Sequence, residues 1–310
     1  MNFELHEISY PSKDGIHNIH GEIYYPTKVS PKAILQISHG MVDYVERYLP
    51  LIRFFTNEGF IVAGNDHLGH GKSVNSSDEF GFFAKKGGTE LVISDLHSMN
   101  RYLRHNYPAL PVFMLGHSMG SFIARLYAEK HAYALAGLVI HGTSGPNPAV
   151  PLGKALASFV GLFCGCEHKS KLIGKIAFAG YNKRFPKEEG STAWLSSDYD
   201  AVKDKHNDER GAFTFSVSGY RDLFTFLGKS NSKEWFKKYP KTLPTLIMSG
   251  DMDPVGNFGK GPTQIYKRLL IEGVENLDIK LYQGARHELF NEKKKDEIFS
   301  DLLNWLNLNL

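Results

Sequence analysis

The chain has 310 residues and sets 36 Lys and Arg against 33 Asp and Glu, a formal net charge of +3. Charge this nearly balanced gives no electrostatic footprint for nucleic acid, and the run Lys293-Lys294-Lys295 reads as a solvated helix end. The length is ample for a buried core and fits one large α/β domain carrying an insertion.

The opening MNFELHEISY contains acidic residues and lacks the basic and apolar regions of a secretory signal, so a cytoplasmic location is expected. Two polar/apolar alternations, FELHEISY and HNIHGEIYY, flank the turn-forming SKDG and predict an antiparallel edge hairpin. Short apolar runs bounded by turn residues follow: AILQIS, FIVAG, PVFML, GLVIHG and TLIMSG, then the alternating LDIKLYQG. Near-continuous apolar runs suit parallel strands covered on both faces. Helical spacing lies between them, as in Val92, Leu96, Met99 and Leu103 after a candidate N-cap at Thr89, and again in Ile298, Leu302, Trp305 and Leu306. Alternation of strand and helix implies an open, mostly parallel sheet flanked by helices, with sites beyond the strand C-termini.

From about Gly145 to Tyr239 the rhythm breaks, with aromatic and glycine residues scattered among helical fragments. The expected organisation is therefore a core of residues 1–144 and 240–310 with a mainly helical cap inserted at 145–239. Within the cap, ALASFVGLFCGC at 155–166 is about half the roughly 20 residues needed to span a bilayer. Its Phe159, Val160, Leu162 and Phe163 suit a cover for an acyl chain, a contact with a lipid surface, or simple packing on the core. Cys164 and Cys166 are too close for a strain-free disulfide and are expected as reduced packing residues, and nothing in the sequence suggests a metal or cofactor.

The stretch VFMLGHSMGSFIARL carries G-x-S-x-G between an apolar strand and a helix, the context in which a serine stands exposed on a sharp, strained turn. A serine-dependent hydrolase of this α/β architecture needs an acid and then a histidine after later strands. Of 14 histidines only His287 follows TLIMSG, and it sits directly after the last strand. The preceding strand ends in SGDMDPV, which offers Asp251 and Asp253 without distinguishing them; the one not used is expected to cap the turn or face solvent. The oxyanion of acyl transfer needs two backbone N–H groups, for which Met119 and Met41 stand in the right places. His67, His70 and His117 complete no recognised ligand set and are expected to brace the loops beneath the serine.

Together SHGM, DHLGHGKS, LGHSMGS, SGDMDPVG and ARHELFNE resemble the monoacylglycerol lipase and lysophospholipase group of α/β hydrolases, which includes serine aminopeptidase-like enzymes. The resemblance runs in order from 38 to 292. It implies nucleophile Ser118, acid Asp253, base His287 and an oxyanion hole from the amides of Met41 and Met119. It also implies that WLSSD and FTFSVSGYRDLF border an acyl pocket and that the substrate is a small-molecule ester; transient membrane contact through the cap is expected from the apolar stretch 155–166. Two positions depart from the pattern: Asp43-Tyr44 where the group commonly has Glu-His, and Leu68 where a polar residue is frequent. The rival readings are an aminopeptidase, which needs a cap carboxylate such as Asp198, Asp200, Asp208 or Glu209 to hold a substrate ammonium, and a catalytically silent ligand receptor. A serine at the elbow argues against epoxide hydrolase or dehalogenase chemistry.

Overall fold

The structure, a computed structural model, describes residues 2–310 apart from the side chains of Asp204 and His206. Eight strands form one sheet: β1 (Phe3–Pro11), β2 (Asn18–Pro26), β3 (Ala33–Ser38), β4 (Phe60–Asn65), β5 (Val112–His117), β6 (Gly137–His141), β7 (Thr245–Gly250) and β8 (Leu277–Tyr282). Their order is β1-β2-β4-β3-β5-β6-β7-β8, parallel from β4 to β8. The first two strands form the expected hairpin, joined to β4 antiparallel. Every residue of β3, β4, β5, β6 and β7 is buried, the outcome required of strands covered on both faces.

The described residues also form ten α-helices: α1 (Leu49–Asn57), α2 (Gly88–Asn106), α3 (Met119–His131), α4 (Val150–Cys164), α5 (Lys171–Ala177), α6 (Tyr199–Val202), α7 (Val217–Ser230), α8 (Lys233–Lys238), α9 (Lys260–Ile271) and α10 (Lys295–Leu308). Five of them, α4 to α8, lie between β6 and β7, where no strand joins the sheet. This interval is not a separate globule. Phe226 of α7 and Trp235 of α8 share one apolar cluster with Val92 of α2 and Ile123 of α3. The Trp235 indole donates to the Arg125 carbonyl (3.0 Å) and lies 4.3 Å from the buried Arg125 guanidinium. No helix is long and apolar enough to cross a membrane among the described residues.

Two local expectations are corrected. Thr89 does not cap α2: the N-cap is Gly87, in the left-handed region, and the buried Thr89 hydroxyl instead donates to Asp222 of α7 (3.3 Å). That carboxyl is pushed up to about 6 by burial, so it is still mainly ionised at pH 7 but takes up a proton on mild acidification. The two cysteines are free thiols but not packing residues, since Cys164 is exposed and Cys166 only partly covered. They end a helix whose last turns face solvent, a fact that apolar composition cannot reveal.

The β5–α3 turn is the tightest point of the fold. Ser118 has φ 54° and ψ −120°, a conformation that L residues adopt only under constraint. A Cβ on Gly120 would lie 1.9 Å from the Ser38 carbonyl oxygen, and one on Gly116 would lie 2.5 Å from that of Gly120. Both obstacles are backbone and cannot rotate away. Gly120→Ala is therefore expected to cost about 3 kcal/mol or more of stability, checked by urea denaturation of the variant.

Candidate active site

The residues singled out in the sequence converge at the C-terminal edge of the sheet. Met41 follows β3, Ser118 follows β5, Asp253 follows β7 and His287 follows β8. Ser118 is anchored from behind by its own N–H, which donates to the His141 carbonyl (3.0 Å), and its carbonyl accepts from the Ser121 hydroxyl (2.6 Å). His287 Nδ1 lies 3.0 Å from Asp253 Oδ2, with both side chains buried. A carboxylate only accepts, so Nδ1 carries the hydrogen and Nε2 is the ring's free lone pair. Asp253 Oδ1 takes the Val255 N–H (2.8 Å). The other candidate acid, Asp251, instead accepts the N–H of Gly284 (2.8 Å) and ties the two loops together.

Met119 opens α3, so its N–H is one of the unpaired donors at a helix N-terminus. Met41 is followed by Val42 with φ 53°, an uncommon conformation that shapes the loop facing the serine. That loop is braced by histidines, as expected. His39 Nε2 accepts the His67 N–H (2.8 Å), which leaves its Nδ1–H to donate to Gly40 O (2.8 Å). His67 sits 3.0 Å from the Ser38 hydroxyl, and His70 packs on Phe83. Burial drives both rings towards the neutral form, His70 down to about 3 and His67 well below the usual histidine range. Leu68, the apolar departure in DHLGHG, is buried in the main core.

Gly40, Met41, Ser118, Met119 and His287 line a cavity of about 1300 Å³. Its apolar wall is built by Leu152 and Leu156 of α4, Ile173 and Ile176 of α5, and Tyr220, Leu223, Phe224 and Leu227 of α7. Of the two segments implied to border an acyl pocket, Trp194, Leu195, Phe213, Thr214, Tyr220, Leu223 and Phe224 reach the wall. Trp194 also lies over the His287 ring, with centroids 5.0 Å apart. None of Asp198, Asp200, Asp208 and Glu209 lines the cavity. On the outside, Leu162 is 81% and Phe163 76% exposed, in company with Leu152, Phe159, Leu172 and Ile176.

The sequence profile of the Hydrolase_4 family, described as "Serine aminopeptidase, S33", matches residues 29–294. The chain belongs to this family. It is 25% identical over 317 residues to the monoacylglycerol lipase of Mycolicibacterium smegmatis, covering 97% of this chain and 96% of that one. A 124-residue stretch is 36% identical to human monoglyceride lipase, covering 38% and 37%. Among solved structures, a thermostable carboxyl esterase from Bacillus coagulans in complex with glycerol superposes with a TM-score of 0.89 at 32% identity over 98% of both chains. The protein is a carboxylic ester hydrolase of the α/β-hydrolase fold and belongs with the monoacylglycerol lipases.

Where this hydrolase departs from the group, at Asp43 and Tyr44, the structure shows a network that sequence inspection did not find. Asp43 is buried and accepts from the Arg47 guanidinium (2.8 Å) and the Tyr48 hydroxyl (2.9 Å). With its one proton given to Asp43, Tyr48 must accept from Nδ1–H of His117 (2.8 Å), the residue before the serine. The His117 ring stacks on His141, its in-register neighbour on β6, and lies 4.9 Å from His287. Arg47 also reaches Glu288 (3.3 Å), next to His287, and Glu288 is met by Lys205 (3.0 Å). Tyr44 turns away from the serine: its hydroxyl donates to Asp208 (2.8 Å) and its ring lies beneath Arg210. The signal that could have found this network was the i, i+4 spacing of Asp43 and Arg47, with Tyr48 next in the chain; Lys205 and Glu288 carried no local signal.

Burial alone would raise both carboxyls, but the cations override it: Arg47 holds Asp43, and Lys205 with Arg47 holds Glu288, below the usual carboxylate range. A depressed carboxyl contributes stability that is complete above its unfolded value, near pH 4, and is lost as pH falls towards the folded value. Denaturation titrations between about pH 5 and pH 2 should therefore show a loss on the order of 2 kcal/mol that is smaller in Glu288→Gln.

Proposed function

We propose that Ser118 is the nucleophile, His287 the base, Asp253 the acid that orients it, and that the preferred substrates are lipid monoesters, monoacylglycerol or lysophospholipid. The observation that carries this reading is the buried His287–Asp253 contact, made beside a strained Ser118 on a cavity that α4, α5 and α7 line with apolar side chains. In the first step the Ser118 hydroxyl oxygen bonds to the ester carbonyl carbon while its proton passes to His287 Nε2. The N–H groups of Met41 and Met119 receive the oxyanion. Collapse breaks the carbon–oxygen bond to the alcohol, which leaves with the proton from His287. Water then adds to the acyl-enzyme carbonyl and gives a proton to His287, and that proton returns to Ser118 as the fatty acid departs. The glycerol bound to the esterase relative supports a polyol as the leaving alcohol.

We take residues 145–239 as the cap over this site. Its wall of leucine, isoleucine and aromatic side chains supports an acyl chain as the cavity's occupant. The exposed apolar side chains of α4 and α5 support transient seating on a lipid surface, with Leu152 and Ile176 belonging both to that face and to the cavity. The aminopeptidase reading finds less support. Among the described residues, the acidic side chains on the cavity wall are Asp43 and Glu288, and both are already paired with cations.

Ser118→Ala should fold normally, lose at least about a thousandfold in kcat/KM towards p-nitrophenyl esters, and resist labelling by a fluorophosphonate that modifies the parent stoichiometrically. Across acyl lengths, medium or long chains and monoacylglycerol or lysophospholipid should be preferred; a preference for acetyl esters or release from proline-p-nitroanilide overturns the substrate assignment. Replacing Leu162 and Phe163 by Ser should lower turnover of monoacylglycerol in phosphatidylcholine vesicles by at least about tenfold while leaving a soluble butyrate ester unaffected, since each large apolar side chain buried in lipid favours binding by about 1.5–3 kcal/mol.

A further inference from the structure

The loop that carries His287 is bound mainly from the cap. The Glu288 N–H donates to Leu195 O (2.6 Å), the Ser196 hydroxyl to Asn291 O (2.7 Å), and the Ser197 N–H to the Glu292 carboxylate (3.2 Å). The Arg286 guanidinium donates to Ala193 O (2.5 Å) and Ser196 O (3.1 Å). A few residues further on, the 3-10 turn Lys203–Asn207 delivers the nearly buried ammonium of Lys205 to Glu288.

The groups facing the base come from every element around it. Asp253 takes its Nδ1, His117 of β5 and Trp194 of the cap flank its ring, and His141 of β6 stacks on His117. Tyr181, half-buried in the cap, lies close enough to Asp253 for the carboxylate to hold its hydroxyl protonated. Beyond them stand two carboxylates, Asp43 and Glu288, and two cations, Arg47 and Lys205. The charges of this quartet cancel only while Lys205 is in place. Arg47 is shared by both acids and cannot neutralise two. In a buried setting an uncancelled carboxylate acts over the width of a side chain and favours the protonated form of any neighbouring imidazole.

We infer that Lys205 is a positioning residue for the reaction: by completing the charge balance at Glu288, the cap keeps the base on the adjoining residue able to accept the serine's proton. The inference rests on the triad reading above. It makes the segment 193–205 part of the catalytic framework and leaves α4 and α5 as the portion of the cap free to serve the substrate. Lys205 also touches the cavity, so direct contact with substrate is the rival role.

The two roles separate in pH profiles of kcat/KM for a soluble, uncharged butyrate ester, measured on the whole protein for the parent, Lys205→Met, Lys205→Arg and the double variant Lys205→Met with Glu288→Gln. Lys205→Met should move the acid limb to higher pH, cutting activity near about pH 6 by about threefold or more relative to its own plateau, with KM changed by less than about twofold. Arg at 205 should restore the limb, and Gln at 288 should return it in the Met background, because removing the acid removes the need for the cation. An unmoved limb, or a raised KM with the limb in place, overturns the inference. Limb position does not depend on how much enzyme is folded, so reduced yield of a variant leaves the test intact. Activity in Ser118→Ala would overturn the triad itself; an unmoved limb beside an inactive Ser118→Ala overturns only the role of Lys205.

Discussion

The arrangement of this molecule follows from how closely α3 approaches β3 behind Ser118. Where Gly120 meets the Ser38 and His39 carbonyls there is no room for a single side-chain carbon. That approach forces the chain through φ 54° at the serine, lifts its hydroxyl above the sheet edge, and leaves the first N–H groups of α3 pointing at the same space. The loop after β3 is pressed against the turn from the other side, and the His39–His67 bond fixes it there. A helix set even slightly further back would relieve the strain and scatter the site.

Around that fixed point the protein places two kinds of interior. One is apolar, continuous from the sheet through α3 into α7 and α8, and it makes the cavity wall an extension of the core. The other is a buried charged quartet beside His287, where each carboxylate is kept ionised by a cation. Buried ion pairs of this kind contribute little net stability, because desolvation cancels much of their attraction; what they supply is a defined electrostatic setting. An acyl group favours the first environment; the second sets fixed charges beside His287.

The periodic features of the fold were legible in the residues. Runs such as AILQIS and TLIMSG announced covered parallel strands because only a strand buried on both faces tolerates unbroken apolarity. His287 was legible by elimination, since no other histidine follows β7. Thr89 and the cysteine pair misled for one shared reason: a cap or a packing position depends on which neighbour arrives, and composition does not record arrivals. Asp251 and Asp253 were equivalent in sequence, and only the direction of the turn after β7 gave one to His287 and the other to Gly284.

By itself, the sequence determined the strand and helix order, the elbow around Ser118 and the family, because these rest on local spacing and backbone sterics that neighbouring residues already contain. Tertiary structure alone decided which aspartate meets His287, where the apolar face of α4 points, and that Lys205 meets Glu288 across 83 positions of chain. Charge pairing acts through space over a few ångströms and leaves no periodic trace along the chain, so it becomes visible only when the fold has brought the partners together.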